Sequence, residues 1–342
     1  MVEQQRDASP REGEVAIEIA ACGVCHTDLS FYYDGVPTRR PFPLTLGHEI
    51  SGRVVAAGPG AESWIGRAVI VPSVLPCGTC PACLAGRGQV CPAQIFPGSS
   101  VDGGFGSHII VPARGLCEVP DLGDRRRNPS GLDLTALSVV ADAVSTPYQA
   151  IVRSGIGPGR LAVWVGAGGL GSFGVQISAA LGATVAAVDV DEERLARAGQ
   201  YGATLTLDST AGDARALRDR IRRFAEAHGI PTWRTVIFET SGQPSGQRLA
   251  FGLIGPGSVL SVVGYTATPI DLRLSNLMAY DAMAQGNWGC LPEHYPAVVD
   301  LALSSRIAIE PFIERRSLSD INEVFAAVHA GRVRKRVVLL PR

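Results

Sequence analysis

The residues of this chain best equipped for chemistry are its eight cysteines, four of which fall in Cys77-Gly-Thr-Cys80-Pro-Ala-Cys83 and, shortly after, Cys91. Such spacings on a Gly- and Pro-rich loop let one segment wrap a tetrahedral ion, and four thiolates leave no open coordination position. A structural zinc is therefore expected, ordering a loop with too few apolar residues to order itself. Two disulfides are the competing use of these thiols, disfavoured in a reducing compartment. A second pairing joins Cys25, in CGVCHTD, to His48, in GHEISG, 23 residues later. A thiolate and an imidazole brought together from separate loops suit zinc. Cys22, Cys117 and Cys290 stand alone and are expected to be buried as small apolar groups.

The third constellation is Gly166-Ala167-Gly168-Gly169-Leu170-Gly171. It follows an apolar run, Leu161 to Val165, and leads through a helix-like segment to a second apolar run ending at Asp189. This is strand, tight turn, helix, strand. The glycines permit the turn, let backbone approach a pyrophosphate and let the helix pack on the strand, while the helix N-terminus offers N–H groups to phosphate. A carboxylate at the end of the second strand accepts hydrogen bonds from ribose hydroxyls and repels a 2′-phosphate, so Asp189 argues for NAD over NADP.

Positioning elements follow from periodicity. Residues 13–21 alternate as a strand, 47–58 return to strand character, 101–120 are strand-like, and 132–140 carry a helical apolar pattern. After Asp189, helix and strand alternate: a helix in DEERLARAGQYGA, a strand at 204–207, an Arg-rich helix near 212–228, a strand at 235–240, a helix near 244–254 and a strand at 258–265. That alternation implies a doubly wound parallel sheet. Residues 276–303 read as two helical stretches around a Gly-rich connection, before a final strand VVLLP. The layout is a mostly β lobe over residues 1 to about 140, completed by the C-terminal segment, with a nucleotide domain inserted.

At 342 residues the chain is long for one core, so two domains are expected. A hydrophobic content of 46% with mean hydropathy +0.17 fits a folded globular protein. A net charge of −1 gives no footprint for nucleic acid. No apolar run is long enough to cross a membrane, and the polar start MVEQQRDASPREGEV lacks the apolar core of a secretory signal, so a cytoplasmic enzyme is expected.

GVCHTD, GHEISGRVVAAG, the four-cysteine loop and VGAGGLG, in this order, resemble the zinc-dependent alcohol dehydrogenases of the medium-chain dehydrogenase/reductase superfamily, over nearly the whole chain. The resemblance implies a GroES-like catalytic domain over residues 1–140, completed by about 275–342, and a Rossmann dinucleotide-binding domain over 141–274. It implies two zinc ions per chain and NAD. Cys25 and His48 match catalytic zinc ligands, and the third ligand falls in DAVSTPY, at Asp142. One thiolate, one carboxylate and a neutral imidazole then balance Zn²⁺. Glu49 matches a carboxylate that in some members swings onto the zinc. Thr27 matches the hydroxyl that takes the alcohol's proton, and Asp28 the acceptor that orients His48. Ser30 occupies the place of a proton-relay histidine, so the proton is expected to leave through Thr27 and solvent.

A narrower similarity, in CGVCHTDLSFYYDGV, RLSNLMAYDAMAQGNWGCLPE and INEVFAAVHAGRV, is to the 6-hydroxycyclohex-1-ene-1-carbonyl-CoA dehydrogenases, which oxidise a cyclic allylic secondary alcohol on a CoA thioester. Phe31, Tyr32, Tyr33 and Trp288 are candidates to wall its ring, and all four read equally as ordinary core or interface residues. Dehydrogenation of small free alcohols and 1,4-hydride addition to an enoyl-CoA are the competing activities. A homo-oligomer, dimeric or tetrameric, is expected.

Overall fold

A computed structural model describes residues 1–5 and 9–341; residues 6–8, within the polar start, and Arg342 lie outside it. The chain divides into two compact units, residues 1–145 with 289–342, and residues 146–288.

The first unit begins with β1 (Glu14–Gly23), where Val15, Ile17, Ile19 and Ala21 are buried in alternation before Cys22 and Gly23 extend the buried run. Helix α1 (His26–Tyr33), β2 (Glu49–Ala57), β3 (Ala68–Val71), the single turn α2 (Pro81–Leu84), β4 (His108–Pro112) and β5 (Cys117–Glu118) follow. The segment with helical patterning becomes a 3-10 turn, Ala136–Ala141, every residue of it buried. The adjacent β-branched Val139 and Val140 work against a longer α-helix. Helix α3 (Ser145–Arg153) comes next.

The second unit carries β6 (Leu161–Val165), α4 (Gly171–Ala180), β7 (Thr184–Asp189), α5 (Glu192–Gln200), β8 (Leu205–Asp208), α6 (Ala214–Ala227), β9 (Thr235–Glu239), α7 (Pro244–Gly252), β10 (Val259–Val262), α8 (Ser275–Tyr280) and β11 (Met283–Gly286). Its six strands lie in the order β11-β10-β9-β6-β7-β8, every pair parallel. The order reverses between β6 and β9, the place where doubly wound sheets open a crevice at their carboxyl ends. β6 is buried throughout, and its Trp164 stacks on Phe238 of β9 with ring centroids 4.1 Å apart.

β11 corrects the sequence reading, which took residues 276–303 as helical on both sides of a Gly-rich connection. Asp281 adopts a left-handed φ of 48°, which ends α8, and Met283–Gly286 then pair with β10. Four residues are too few to display a period of two, so the strand is visible only through its pairing.

The chain returns to the first unit with α9 (Tyr295–Leu303), β12 (Ile313–Ser317), α10 (Ile321–His329) and β13 (Arg336–Leu340). The sheet there runs β12-β13-β1-β2-β3-β5, with β4 also on β1. On β1, β13 pairs with the last two residues alone, at Cys22↔Leu339 and Gly23↔Val338, which carries Arg336 to the end of the strand that precedes Cys25. Among the described residues no helix is long and apolar enough to cross a membrane.

Candidate metal centres and dinucleotide site

Among the described residues two clusters of donor atoms form, both in the first unit: Cys77, Cys80, Cys83 and Cys91, and Cys25, His48, Glu49 and Asp142. Within each, ligand atoms all lie within 4.8 Å of one another.

In the thiol loop, sulfur separations are 3.9 Å (Cys77–Cys83), 3.5 Å (Cys80–Cys83) and 3.7 Å (Cys80–Cys91). Four sulfurs placed tetrahedrally at zinc–sulfur bond lengths would stand about 3.8 Å apart. None of the eight cysteines is in a disulfide. The sulfur of Cys77 accepts hydrogen bonds from the Thr79 backbone N–H and hydroxyl and from Cys80 N–H, which lower its pKa to about 5. Burial and the neighbouring sulfurs push Cys83 up to about 12. A thiolate at Cys77 is thus favoured and one at Cys83 is not, unless a cation offsets its cost. That is the charge logic of a zinc site.

The mixed cluster is assembled from distant segments. Cys25 precedes α1, His48 precedes β2, Glu49 opens β2, and Asp142 follows the 3-10 turn. Asp142 Oδ2 lies 3.7 Å from Cys25 Sγ and 3.6 Å from His48 Nε2. Tetrahedral donors on bonds of 2.0–2.3 Å stand about 3.5 Å apart, so S, N and O donors at these distances fit one zinc ion. Asp28, fully buried, braces the set: its carboxylate accepts from Cys25 N–H at 3.0 Å and Gly47 N–H at 3.2 Å and lies 3.1 Å from His48 Nδ1. A proton on Nδ1 leaves the Nε2 lone pair free for a metal. Burial opposes a charge on His48, but Asp28, with Asp142, still raises its pKa well above the usual histidine value. Thr27 Oγ1 lies 3.7 Å from Cys25 Sγ.

Arg336 escaped the sequence reading. Its guanidinium binds both oxygens of Glu49, with Nε to Oε2 at 3.0 Å, and its Nη2 is 3.8 Å from Asp142 Oδ2. Burial pushes Glu49 up to about 6, while Arg336 pulls the other way. Gly23 makes the room, since a Cβ there would stand 2.0 Å from Glu49 Oε2. Only an Arg at the far end of the sequence marked this contact, and nothing local points to it.

In the second unit Gly166 takes φ +94°, and a Cβ on Gly171 would meet Gly166 O at 1.7 Å. Gly168 has no protein atom closer than 3.8 Å to its missing Cβ, so backbone at this point is open to a ligand, as a pyrophosphate requires. Gly169 and Leu170 complete the turn into α4. Close helix–strand packing falls also on Gly174, whose Cβ would enter the Trp164 ring at 2.3 Å. Asp189 accepts from Ala167, Val190 and Asp191 N–H groups at 2.7, 2.8 and 3.0 Å. Arg194, 3.8 Å from Asp189 Oδ1, is a second residue the sequence reading left out. Asp191 caps α5 through Glu193 and Arg194 N–H, which places Arg194 in the first turn.

Of the proposed ring-walling residues, Phe31 belongs to a buried core cluster that also holds Leu29 and Phe325, the core reading of its side chain. Tyr32 and Tyr33 are exposed and contact Phe325 and His329. Trp288, also exposed, lies in the other unit.

Comparison with known proteins agrees with this chemistry. A family profile described as Alcohol dehydrogenase GroES-like domain matches residues 11–121, and one described as Zinc-binding dehydrogenase matches residues 169–304. An alcohol dehydrogenase of Geobacillus stearothermophilus is 30% identical over 331 residues, 96% of this chain and 91% of the relative. The chain belongs to the zinc-dependent medium-chain alcohol dehydrogenases. Among solved structures, galactitol-1-phosphate dehydrogenase from Escherichia coli superposes with a TM-score of 0.88 at 26% identity, covering 99% of this chain and 96% of that one. Acetophenone reductase from Geotrichum candidum, solved in complex with NAD, gives 0.81 at 26% identity over 97% and 91%. Membership makes the chain an oxidoreductase with zinc-dependent alcohol or polyol dehydrogenase chemistry.

Proposed function

We propose that Cys25, His48 and Asp142 hold a catalytic zinc, that Cys77, Cys80, Cys83 and Cys91 hold a structural one, and that the chain oxidises a secondary alcohol with NAD. The observation that carries this reading is the convergence of Sγ, Nε2 and Oδ2 at 3.6–3.7 Å edges around the Asp142 carboxylate. Zinc bound there supplies Lewis acidity that eases deprotonation of an alcohol and makes its carbon a better hydride donor. Asp28 fixes the cysteine and the histidine tautomer. Thr27, beside Cys25, accepts the alcohol's proton and passes it to solvent. Glu49 is a reserve donor of the set, its charge offset by Arg336. Gly166, Gly168, Gly169, Leu170 and Gly171 take the pyrophosphate, and Asp189 takes the adenosine ribose and disfavours NADP.

The substrate we propose, from sequence resemblance, is a cyclic allylic secondary alcohol on a CoA thioester, 6-hydroxycyclohex-1-ene-1-carbonyl-CoA or similar. A small free alcohol or polyol is the second reading, favoured by likeness to the alcohol and galactitol-1-phosphate dehydrogenases. NADH formation followed with the thioester, its free acid, simple alcohols and polyols separates them. Turnover confined to the thioester supports the first, and turnover of free alcohols alone overturns it. Absence of zinc-dependent turnover on every compound would sink the dehydrogenase assignment.

We also propose a cytoplasmic homo-oligomer, without nucleic-acid or membrane partners. The edge strand β11 exposes Met283, and Leu274 and Met278 nearby in sequence are 67% and 78% exposed, an apolar edge that a second copy would cover. Sedimentation as a monomer at micromolar concentration would contradict this.

A further inference from the structure

Asp28 braces two of the three proposed zinc ligands, yet none of its hydrogen bonds reaches the third. Asp142 sits at φ −145°, ψ −59°, neither helical nor extended, so regular secondary structure does not fix its backbone. Tyr295, the first residue of α9, is fully buried with its hydroxyl at this point. The hydroxyl donates to Ala141 O at 2.6 Å and accepts from Ser145 Oγ at 3.2 Å and from Ser73 N–H at 3.3 Å. A phenol has one proton to give and two lone pairs to fill, and all three are used. Ser73 N–H also reaches Ala141 O, at 3.3 Å.

The consequence is geometric. Residues 142–144 form a short loop whose two flanking residues, Ala141 and Ser145, are tied to one oxygen atom, and Ala143 and Val144 within it are fully buried. We infer that Tyr295 is a positioning residue for the catalytic metal: its hydroxyl fixes the peptide that aims the Asp142 carboxylate at Cys25 and His48. It does for the acid what Asp28 does for the thiol and the imidazole. The inference rests on Asp142 being a metal ligand, and its test separates the two claims.

The test uses the zinc-loaded, full-length protein and follows zinc release into a chelating dye, where the thiol loop gives a slow reference phase. Tyr295→Phe keeps the ring and removes the three hydrogen bonds. It should retain a cooperative melt and an unchanged slow phase, while the fast phase speeds up by about 10- to 100-fold, the usual effect of losing a group that orients a ligand. Asp142→Asn should accelerate the fast phase at least as much, and the double variant should release no faster than Asp142→Asn alone. Wild-type release from Tyr295→Phe, or effects that multiply in the double variant, would overturn the assignment of Tyr295 while leaving Asp142 as a ligand. Wild-type release from Asp142→Asn would remove the ligand reading and the inference together. Should Tyr295→Phe fail to fold, Ser145→Ala, which removes one of the three bonds, should give a smaller acceleration, and unchanged release from it would count against the proposal.

Discussion

The thiol loop takes all its donors from residues 77–91, and three of its four cysteines are partly exposed. The mixed cluster takes donors from positions 25, 48, 49 and 142, three of them buried and Asp142 only slightly open. Four identical ligands on one loop close the coordination shell, and the metal organises the peptide. In the proposed mixed site three unlike donors, two of them braced by Asp28, would leave a position open, and the peptide would organise the metal. A chain can carry two zinc sites of similar dimensions and opposite purposes.

The contrast breaks most sharply at Cys25. Cys25→Ser should cut turnover by at least about 10³-fold, since the chemistry loses its Lewis acid, while NAD binding by fluorescence titration stays near normal. Retained turnover would mean that the mixed cluster is not catalytic. Cys80→Ser should act on the other side of the comparison. It should release the loop zinc and lower the melting temperature by on the order of 5 °C or more, with kcat of the folded fraction within a few-fold of wild type. An unchanged melt would show that the loop orders itself. Asp28→Asn keeps the shape of the brace and weakens its pull on His48 Nδ1, so zinc affinity of the mixed site should fall about 10- to 100-fold with the loop site unaffected, as competitive chelation would read. The smallest effect is expected in the second unit. Asp189→Gly removes the ribose acceptor and leaves Arg194 in place, which should move the ratio of kcat/KM for NAD and NADP about 10-fold toward NADP. An unmoved ratio would show that Asp189 does not set the preference.

How much of this was legible in the sequence follows the same division. The thiol loop and the glycine turn are local, so spacing alone marks residues that the fold then keeps together. The alternation of strands and helices after Asp189 likewise needs only short windows. Asp142 stands 117 residues from Cys25, and spacing cannot pair them; only resemblance to a family did. Arg336 and Glu49 are 287 residues apart and meet because β13 docks on the end of β1, information held in strand pairing. β11 was lost for a related reason, since four residues gain their identity from β10. Phe31 turns out on the core side of its two readings, because an aromatic ring reads the same in a core as at a cleft.

Counting zinc per chain, before and after brief chelation, in wild type and Asp142→Ala tests the mixed metal centre most directly. Two ions in the wild type, one of them readily removed, and a single resistant ion in an inactive Asp142→Ala are predicted. Two ions and wild-type turnover in Asp142→Ala would contradict a zinc site built on the thiol, the imidazole and this acid.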